Sequence, residues 1–300
     1  MVVGPAERFR AGFVGLGGRS NVGKSTLLNR LVGHKVAIVT PLPQTTRRRI
    51  LGIRNDPDAQ LILIDMPGIH ESRKLLNERM VGRARACLKE GDAVVGVVQA
   101  AQRLGAGDRQ FLEEFRELRQ PKVIAINKID LVPRPVLIPL AEECLSLVPA
   151  AEIVPVSALG GENVEELVST IKAILPAGPA LMPPDQYTDQ TERMLAEEVI
   201  LEKIFFAMRE EVPFSTAVKV ETFSTAPERQ LLRIAAAIVV ERESHKGMMI
   251  GAGGRQLKQI GQSARLELEQ LFESRVFLEL TVKVEKNWTR DPRRIEELGL

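Results

Sequence analysis

Cysteine is scarce in this chain. Cys87 and Cys144 are the two it has, far apart and outside any metal-ligand spacing, which excludes a disulfide framework and a cysteine-based metal site. Two small core residues in a reducing compartment are expected instead. An excess of one charge is lacking too: 41 Lys and Arg face 39 Asp and Glu, for a formal net charge of +2. The global balance announces no nucleic-acid partner, so any basic footprint must be local. Long apolar runs are missing. Stretches such as Ala93–Val98 and Ile234–Val240 fall far short of the roughly 18 residues that span a bilayer. Met1–Arg10 has no apolar signal core, and these absences predict a cytoplasmic protein. No internal repeat or low-complexity tract interrupts the 300 residues, a length that suggests about two domains.

What is present is an alternation of short apolar runs and helix-length segments. Phe13–Leu16, Ile50–Arg54, Gln60–Asp65, Ala93–Gln99, Val123–Asn127 and Ile153–Ser157 read as strands. Lys24–Val32, Phe111–Leu118 and Val164–Leu175 read as helices from the spacing of their apolar residues. Ala93–Gln99 and Val123–Asn127 are nearly all apolar, as strands covered on both faces are. The alternation predicts an α/β fold with a mostly parallel, doubly wound sheet. Pro176–Pro184 carries four prolines and a glycine, where helix propagation fails. A first domain is therefore expected over 1–178, and a linker with a second domain over 179–300. The second half reads differently. An amphipathic segment Thr191–Arg209 leads to strands Ala217–Phe223 and Leu232–Val240, a glycine-rich turn at 251–254, a helix through Phe272 and a last strand near Val276–Val284.

Gly18-Arg19-Ser20-Asn21-Val22-Gly23-Lys24-Ser25, followed by Thr26 in the helix, fits the phosphate-binding loop GxxxxGK[ST]. Such a loop turns backbone N–H groups onto phosphate oxygens. Gly18 and Gly23 allow a backbone that no Cβ would tolerate, Lys24 places a cation on the β- and γ-phosphates, and Ser25 offers a hydroxyl to Mg²⁺. Asp65-Met66-Pro67-Gly68 ends a strand. The Asp65 carboxylate can hold Mg²⁺ through water, and the Gly68 N–H can reach the γ-phosphate. Asn127-Lys128-Ile129-Asp130 fits the guanine-reading NKxD: Asp130 offers two acceptors to N1–H and the exocyclic amine, a donor pair adenine lacks. Lys128 can lie over the purine, and Ser157-Ala158-Leu159 would complete the base pocket. Alone, each run has a plainer reading as a turn or loop. In this order they read as a GTPase that takes GTP or GDP with Mg²⁺.

Three further positions qualify that reading. A threonine of Thr45-Thr46 would reach Mg²⁺ only when the γ-phosphate is present, so this loop should order with GTP. Thr46 is the favoured ligand and Thr45 the alternative, which makes Lys24, Thr46, Asp65 and Gly68 the expected catalytic set. Arg47–Arg49 are either a solvated face or a phosphate or RNA contact. Ile69 stands where many GTPases use Gln to orient water, which predicts slow hydrolysis raised by a partner, RNA or a monovalent cation. Asn21 is either a ligand for such a cation, K⁺, or a plain loop residue.

In the second half, Ile250-Gly251-Ala252-Gly253-Gly254-Arg255 resembles the GxxG loop of a type II KH domain, which clamps about four nucleotides of single-stranded nucleic acid. Lys246, Arg255, Lys258 and Arg265 are the charged residues from 246 to 265, with no acid among them; this is the local footprint that the whole-chain charge hides. The bland alternative is a helix–helix turn with glycines in left-handed conformation. Ala252 and Gly253 are uncharged where KH loops often carry Lys or Arg.

Taken together the chain resembles the Era family of ribosome-assembly GTPases. The resemblance rests on GRSNVGKSTLLN at 18–29, PQTTRRRILGI at 43–53, DMPGIH at 65–70, NKID at 127–130, VSALGGENVEEL at 156–167 and IGAGGRQLKQIG at 250–261. Ser20 and Met66 stand where the family usually has Pro and Thr. The resemblance implies binding of the 3′ end of small-subunit (16S) rRNA through the KH domain, action on the pre-30S subunit during its maturation, and peripheral association with the cytoplasmic face of the inner membrane. A monomer is expected. Two competitors remain: a GTPase whose second half docks protein, and a binder that holds GTP without turnover.

Overall fold

The structure, a computed structural model, describes residues 9–40, 42, 47–65, 91–208, 211–226 and 231–300. It divides into two compact units, the first running to Asp189 and the second from Gln190, with the short stretch that begins at Ile38 counted in the second.

In the first unit, six strands form one sheet in the order β2-β3-β1-β4-β5-β6. They are β1 (Arg10–Gly18), β2 (Ile50–Asn55), β3 (Ala59–Asp65), β4 (Ala93–Gln99), β5 (Lys122–Asn127) and β6 (Ala151–Val156). Only β2 runs antiparallel, paired with β3 through the Asp56–Asp58 turn; the other pairings are parallel. Helices α1 (Lys24–Val32) and α4 (Val164–Ile174) bury Leu27, Leu28, Leu31, Leu167 and Ile171 in one core. Helices α2 (Ala106–Arg116) and α3 (Leu137–Leu147) bury Phe111, Leu112, Phe115, Leu140 and Cys144 in another. Two covered faces explain why β3, β4 and β5 lack an apolar–polar alternation. The sheet reverses strand order around β1, whose neighbours are β3 and β4. A doubly wound sheet opens its ligand crevice at such a point, outside the carboxyl ends of the strands.

Helix α3 was not legible in the sequence. Leu137, Ile138, Leu140, Leu145 and Leu147 spread over about half of its circumference, a band wider than the face it buries, and Ile138 is exposed. Pro139 lies in its first turn, where an absent N–H breaks no helical bond. Cys144 is the core residue its scarcity suggested, and burial pushes its thiol up to about 12. The thiolate is the reactive form, so iodoacetamide at pH 8 should leave Cys144 unlabelled until the chain is unfolded; labelling in the native protein, read by mass spectrometry, would contradict this placement. Cys87 lies outside the described residues.

The proline-rich segment stays with the first unit further than 178, to Asp189. It covers the exposed edge of β2, as sheet edges commonly are covered. Tyr187 O accepts from Ile53 N at 2.8 Å, and Thr188 Oγ1 donates to Leu51 O at 2.7 Å. The buried Gln60 amide accepts from Leu181 N and Met182 N and donates to Met182 O, at 2.7, 2.8 and 2.8 Å. A segment without helix or sheet is thus fixed by single side chains.

The second unit has helix α5 (Glu192–Ala207), strands β7 (Thr216–Ala226), β8 (Leu231–Val240) and β9 (Arg275–Val284), and helices α6 (Glu243–Ile250), α7 (Arg255–Leu271) and α8 (Pro292–Glu297). The sheet order is β7-β8-β9, with β8–β9 parallel. Ala196, Ile200 and Ile204 of α5 and Ile260, Ala264 and Leu268 of α7 pack on the sheet. The pairing of β7 with β8 shifts register between Val220 and Thr222, and the buried Glu197 carboxylate accepts from Val220 N there at 2.9 Å. The single Trp, Trp288, is buried and donates to Ser215 O at 3.2 Å.

Candidate functional site

In the first unit, β1, β3, β5 and β6 deliver the motif residues to one end of the sheet. Gly18 closes β1, Asp65 closes β3 opposite Leu16, and Asn127 closes β5 opposite Val156. Between β1 and α1 the loop needs its glycines. Gly18 has φ 149°, and a Cβ there would lie 2.5 Å from Val97 O; Gly23 has φ 96°, and a Cβ would lie 2.3 Å from Asn127 Nδ2. Asn21 takes φ 63°, a conformation that Asn tolerates better than most residues. The loop runs directly into the N-terminus of α1, where a dipole favours an anion.

Lys24, 6% exposed, donates to Gly18 O and Arg19 O at 3.1 and 2.8 Å. Burial holds its pKa below the ordinary lysine value, and the Asp65 carboxylate partly offsets this. A phosphate arriving at the loop favours the ammonium in the same way. Ser25 Oγ donates to Asp65 Oδ2 at 2.7 Å, with Asp65 fully buried. A hydroxyl and a carboxylate in contact at the loop are hard oxygen donors suited to Mg²⁺, which binds few protein ligands and takes the rest from phosphate and water. Among the described residues no cluster of three His, Cys, Asp or Glu could hold a metal by itself. Thr45, Thr46, Met66, Pro67, Gly68 and Ile69 lie outside the described residues.

On the base side, Asp130 is exposed and Ser157 Oγ donates to its Oδ1 at 2.5 Å. One hydroxyl thus aims the carboxylate. Ser157 Oγ also accepts from Gly160 N at 2.9 Å, fixing the turn. Asn127, 1% exposed, donates from Nδ2 to Val22 O at 2.9 Å and accepts from Ala158 N at 3.0 Å. It ties the phosphate loop to the base loop. Lys128, at φ 66°, donates to Asn21 O at 2.7 Å and Gln99 Oε1 at 3.0 Å. Burial lowers its pKa, offset in part by Asp130. Ala158 is buried, while Leu159 is 74% exposed.

Asn29 is a site residue that the sequence reading missed. Its Oδ1 accepts from Val36 N and Ala37 N, both at 2.9 Å, and its Nδ2 donates to Ala37 O at 2.8 Å. It pins to α1 the backbone that leads toward Thr45 and Thr46. The available signal was an Asn inside a helix, where its side chain competes with helical bonding unless it has another task. Arg47 is buried, so it is no solvated face.

In the second unit, α6 and α7 meet at 251–254, with positive φ at Gly251 (69°), Gly253 (61°) and Gly254 (78°). At Gly253 this left-handed backbone would strain a Lys or Arg. A Cβ on Gly251 would meet Gln256 Cβ at 2.7 Å, while around Gly253 and Gly254 there is open space within 4 Å. That face lets a sugar-phosphate backbone come close. Beside it runs a groove of about 680 Å³ lined by Gly254, Leu257, Lys258, Gly261, Gln262, Arg265, Leu278 and Leu280. Lys258 and Arg265 bring cations from α7, and the Leu side chains of α7 and β9 give an apolar floor. Lys246, Ile250 and Arg255 are not among its lining; Arg255 turns back toward Ala252 O at 3.5 Å. Leu278 and Leu280 were missed because their alternation along β9 is also that of ordinary core residues.

Similarity to known proteins follows the same two units. The family described as 50S ribosome-binding GTPase matches residues 13–128, and the KH domain family matches residues 211–289. The GTPase Era of Syntrophus aciditrophicus is 46% identical over 291 residues, which cover 97% of this chain and 95% of that protein. The GTPase Era of Geobacter metallireducens is 45% identical over 291 residues, covering 97% and 98%. A crystal structure of Era in complex with MgGDPNP and nucleotides 1506–1542 of 16S ribosomal RNA matches at TM-score 0.93 and 41% identity, over 97% of this chain and 99% of that one. A single-residue variant of Aquifex aeolicus Era bound to GDP and AlF4⁻ matches at the same TM-score, identity and coverage.

Proposed function

This chain belongs to the Era family of GTPases, and on that premise we propose that it uses GTP to control its hold on the 3′ end of small-subunit rRNA during maturation of the pre-30S particle. The observation that carries the proposal is the open glycine face at 253–254 beside a groove lined by Lys258 and by Arg265, the latter paired with Glu269 at 2.8 Å, in a chain that also carries the GTPase motifs. The Era complex with GDPNP and 16S rRNA supports the choice of RNA.

In this reading the phosphate loop and Lys24 hold the β- and γ-phosphates, and Asp130, aimed by Ser157, reads guanine. Ser25 and Asp65 hold Mg²⁺, with Thr46 (or Thr45) joining when GTP is bound; the ion supplies charge stabilisation at the phosphates. Phosphoryl transfer asks the protein mainly for positioning and for charge at the transferring group. Lys24 meets the second need, and the bonded frame of Asn127, Lys128 and Asn21 meets the first. Gly68 would donate to the γ-phosphate. Lys258, Gly254 and the Leu floor take RNA, with Gly251, Ala252, Gly253 and Arg255 shaping the loop. Lys246 and Ile250 support the loop from α6.

With Ile69 unable to orient water, we assign part of the missing catalysis to K⁺ at Asn21. The reason is the place of Asn21 inside the phosphate loop, where its side-chain carbonyl would stand beside the bound phosphates. Turnover should rise several-fold in KCl over NaCl at equal ionic strength, and Asn21→Ala should lose that difference. Equal rates in the two salts would remove the cation from the account. Among the described residues no helix is long and apolar enough to cross a membrane; work in the cytoplasm as a monomer and peripheral attachment to the inner membrane are parts of this reading that gel filtration and vesicle flotation test. The overall proposal is tested by turnover with and without the 3′-terminal 16S fragment. Stimulation or inhibition by that RNA is expected, and indifference to it at saturation would leave the second unit as a protein-docking module.

A further inference from the structure

Arg30 lies on α1, five residues beyond Ser25 in the sequence, and its side chain reaches the loop after β6. Its Nε donates to Ala158 O at 3.0 Å, and its Nη2 donates to Leu159 O. A planar guanidinium offers two such donors in a fixed fork, which an ammonium cannot. The same loop carries Ser157, whose hydroxyl aims Asp130.

These bonds close a ring. Val22 O of the phosphate loop accepts from Asn127 Nδ2, Asn127 Oδ1 accepts from Ala158 N, and Ala158 O accepts from Arg30 Nε. Helix α1 carries the chain from Arg30 back to Val22. Without Arg30 the ring is open, and the side-chain bonds left between residues 157–159 and the phosphate loop run through the 127–130 loop, by Asn127 to Val22 O and by Asp130 and Lys128 to Asn21 O. Gly161, at φ 85°, turns the loop past the guanidinium, with a Cβ position 3.8 Å from Arg30 Nη1.

We propose that Arg30 is a positioning residue for guanine recognition: it clamps the base loop to the phosphate-loop helix, so that Ser157 presents Asp130 at a fixed distance from the bound phosphates. The inference rests on Asp130 reading guanine. It predicts that losing Arg30 harms the contact with the 2-amino group more than it harms phosphate binding. Inosine diphosphate lacks that amine, so the ratio of GDP to IDP release isolates the effect. Arg30 is exposed, so solvent weakens its bonds, and a change of about fivefold rather than a hundredfold is expected.

The experiment measures release of fluorescent GDP and IDP from wild type, Arg30→Ala and Arg30→Lys, with the melting temperature of the nucleotide-free proteins alongside. Expected in Arg30→Ala is GDP release about fivefold faster, IDP release accelerated clearly less because hypoxanthine keeps only the N1–H of the two donors to Asp130, and an unaltered melting temperature, with Arg30→Lys recovering only part. Unchanged GDP release would overturn the proposal. Equal acceleration of both nucleotides, or acceleration that tracks a lowered melting temperature, would also overturn it, by making Arg30 a general brace. A wild type that does not distinguish GDP from IDP would instead sink the Asp130 reading on which the proposal stands. If Arg30→Ala does not fold, Arg30→Gln, which keeps one donor, takes its place.

Discussion

Asp130→Asn should move the nucleotide preference from guanosine to xanthosine. The carboxylate offers acceptors to N1–H and the 2-amino group of guanine. An amide keeps one acceptor but turns the other atom into a donor, which faces the 2-amino group donor to donor. Xanthine carries a carbonyl at that position and accepts the new donor. Sites built around a hydrogen-bonded polar group reject the mismatched partner strongly, so GDP affinity should drop by about 100-fold or more while XDP gains. The fold should survive, because Ser157 Oγ, now 2.5 Å from Asp130 Oδ1, can donate equally well to an amide oxygen. Fluorescent-nucleotide titrations with both diphosphates check this. Unchanged GDP affinity would take Asp130 out of base reading.

Gly254→Asp should separate the two activities from the opposite side. Gly254 sits at φ 78° with open space around its Cβ position. Asp enters that backbone region more readily than most residues, so strain is modest and the carboxylate projects into the space proposed for an RNA phosphate. Repulsion and loss of close approach together should weaken RNA binding by about 30-fold at physiological salt, where phosphate contacts dominate affinity. GTP turnover without RNA should stay near wild type. Gly251 is the poorer choice for this test, because a Cβ there meets Gln256 at 2.7 Å and would displace α7. Loss of RNA binding together with basal turnover in Gly254→Asp would point to misfolding rather than to a phosphate contact. Full retention of RNA binding would remove the glycine face as the clamp.

Much of the site was legible because nucleotide chemistry fixes residue type and local spacing. Gly18, Gly23, Lys24 and Ser25 must be neighbours to wrap one phosphate chain, and Asp130 must follow a strand closely to stand at the sheet's edge. The parallel strands were legible for a related reason: β4 and β5 are covered on both faces, so they are apolar throughout. What escaped were contacts between residues far apart in sequence. Arg30 meets Ala158 across 128 positions, Gln60 holds Met182 across 122, and nothing local distinguishes either residue from a surface polar one. The RNA groove was half legible. The glycines announce the loop, whereas Leu278 and Leu280 share the alternation of any half-buried strand. Helix α3 escaped because Pro133, Pro135 and Pro139 crowd its start and read as helix breakers.

The central claim is that guanine nucleotide at one unit governs RNA at the other. Its most direct test is the affinity of the full chain for an oligonucleotide matching the 3′ end of 16S rRNA, measured at one stated salt concentration with MgGDPNP and again with MgGDP. Coupling is reciprocal, so the account predicts tighter RNA binding with GDPNP and, in the converse titration, tighter GDPNP binding with RNA by the same factor. Equal RNA affinity in the two nucleotide states would contradict it.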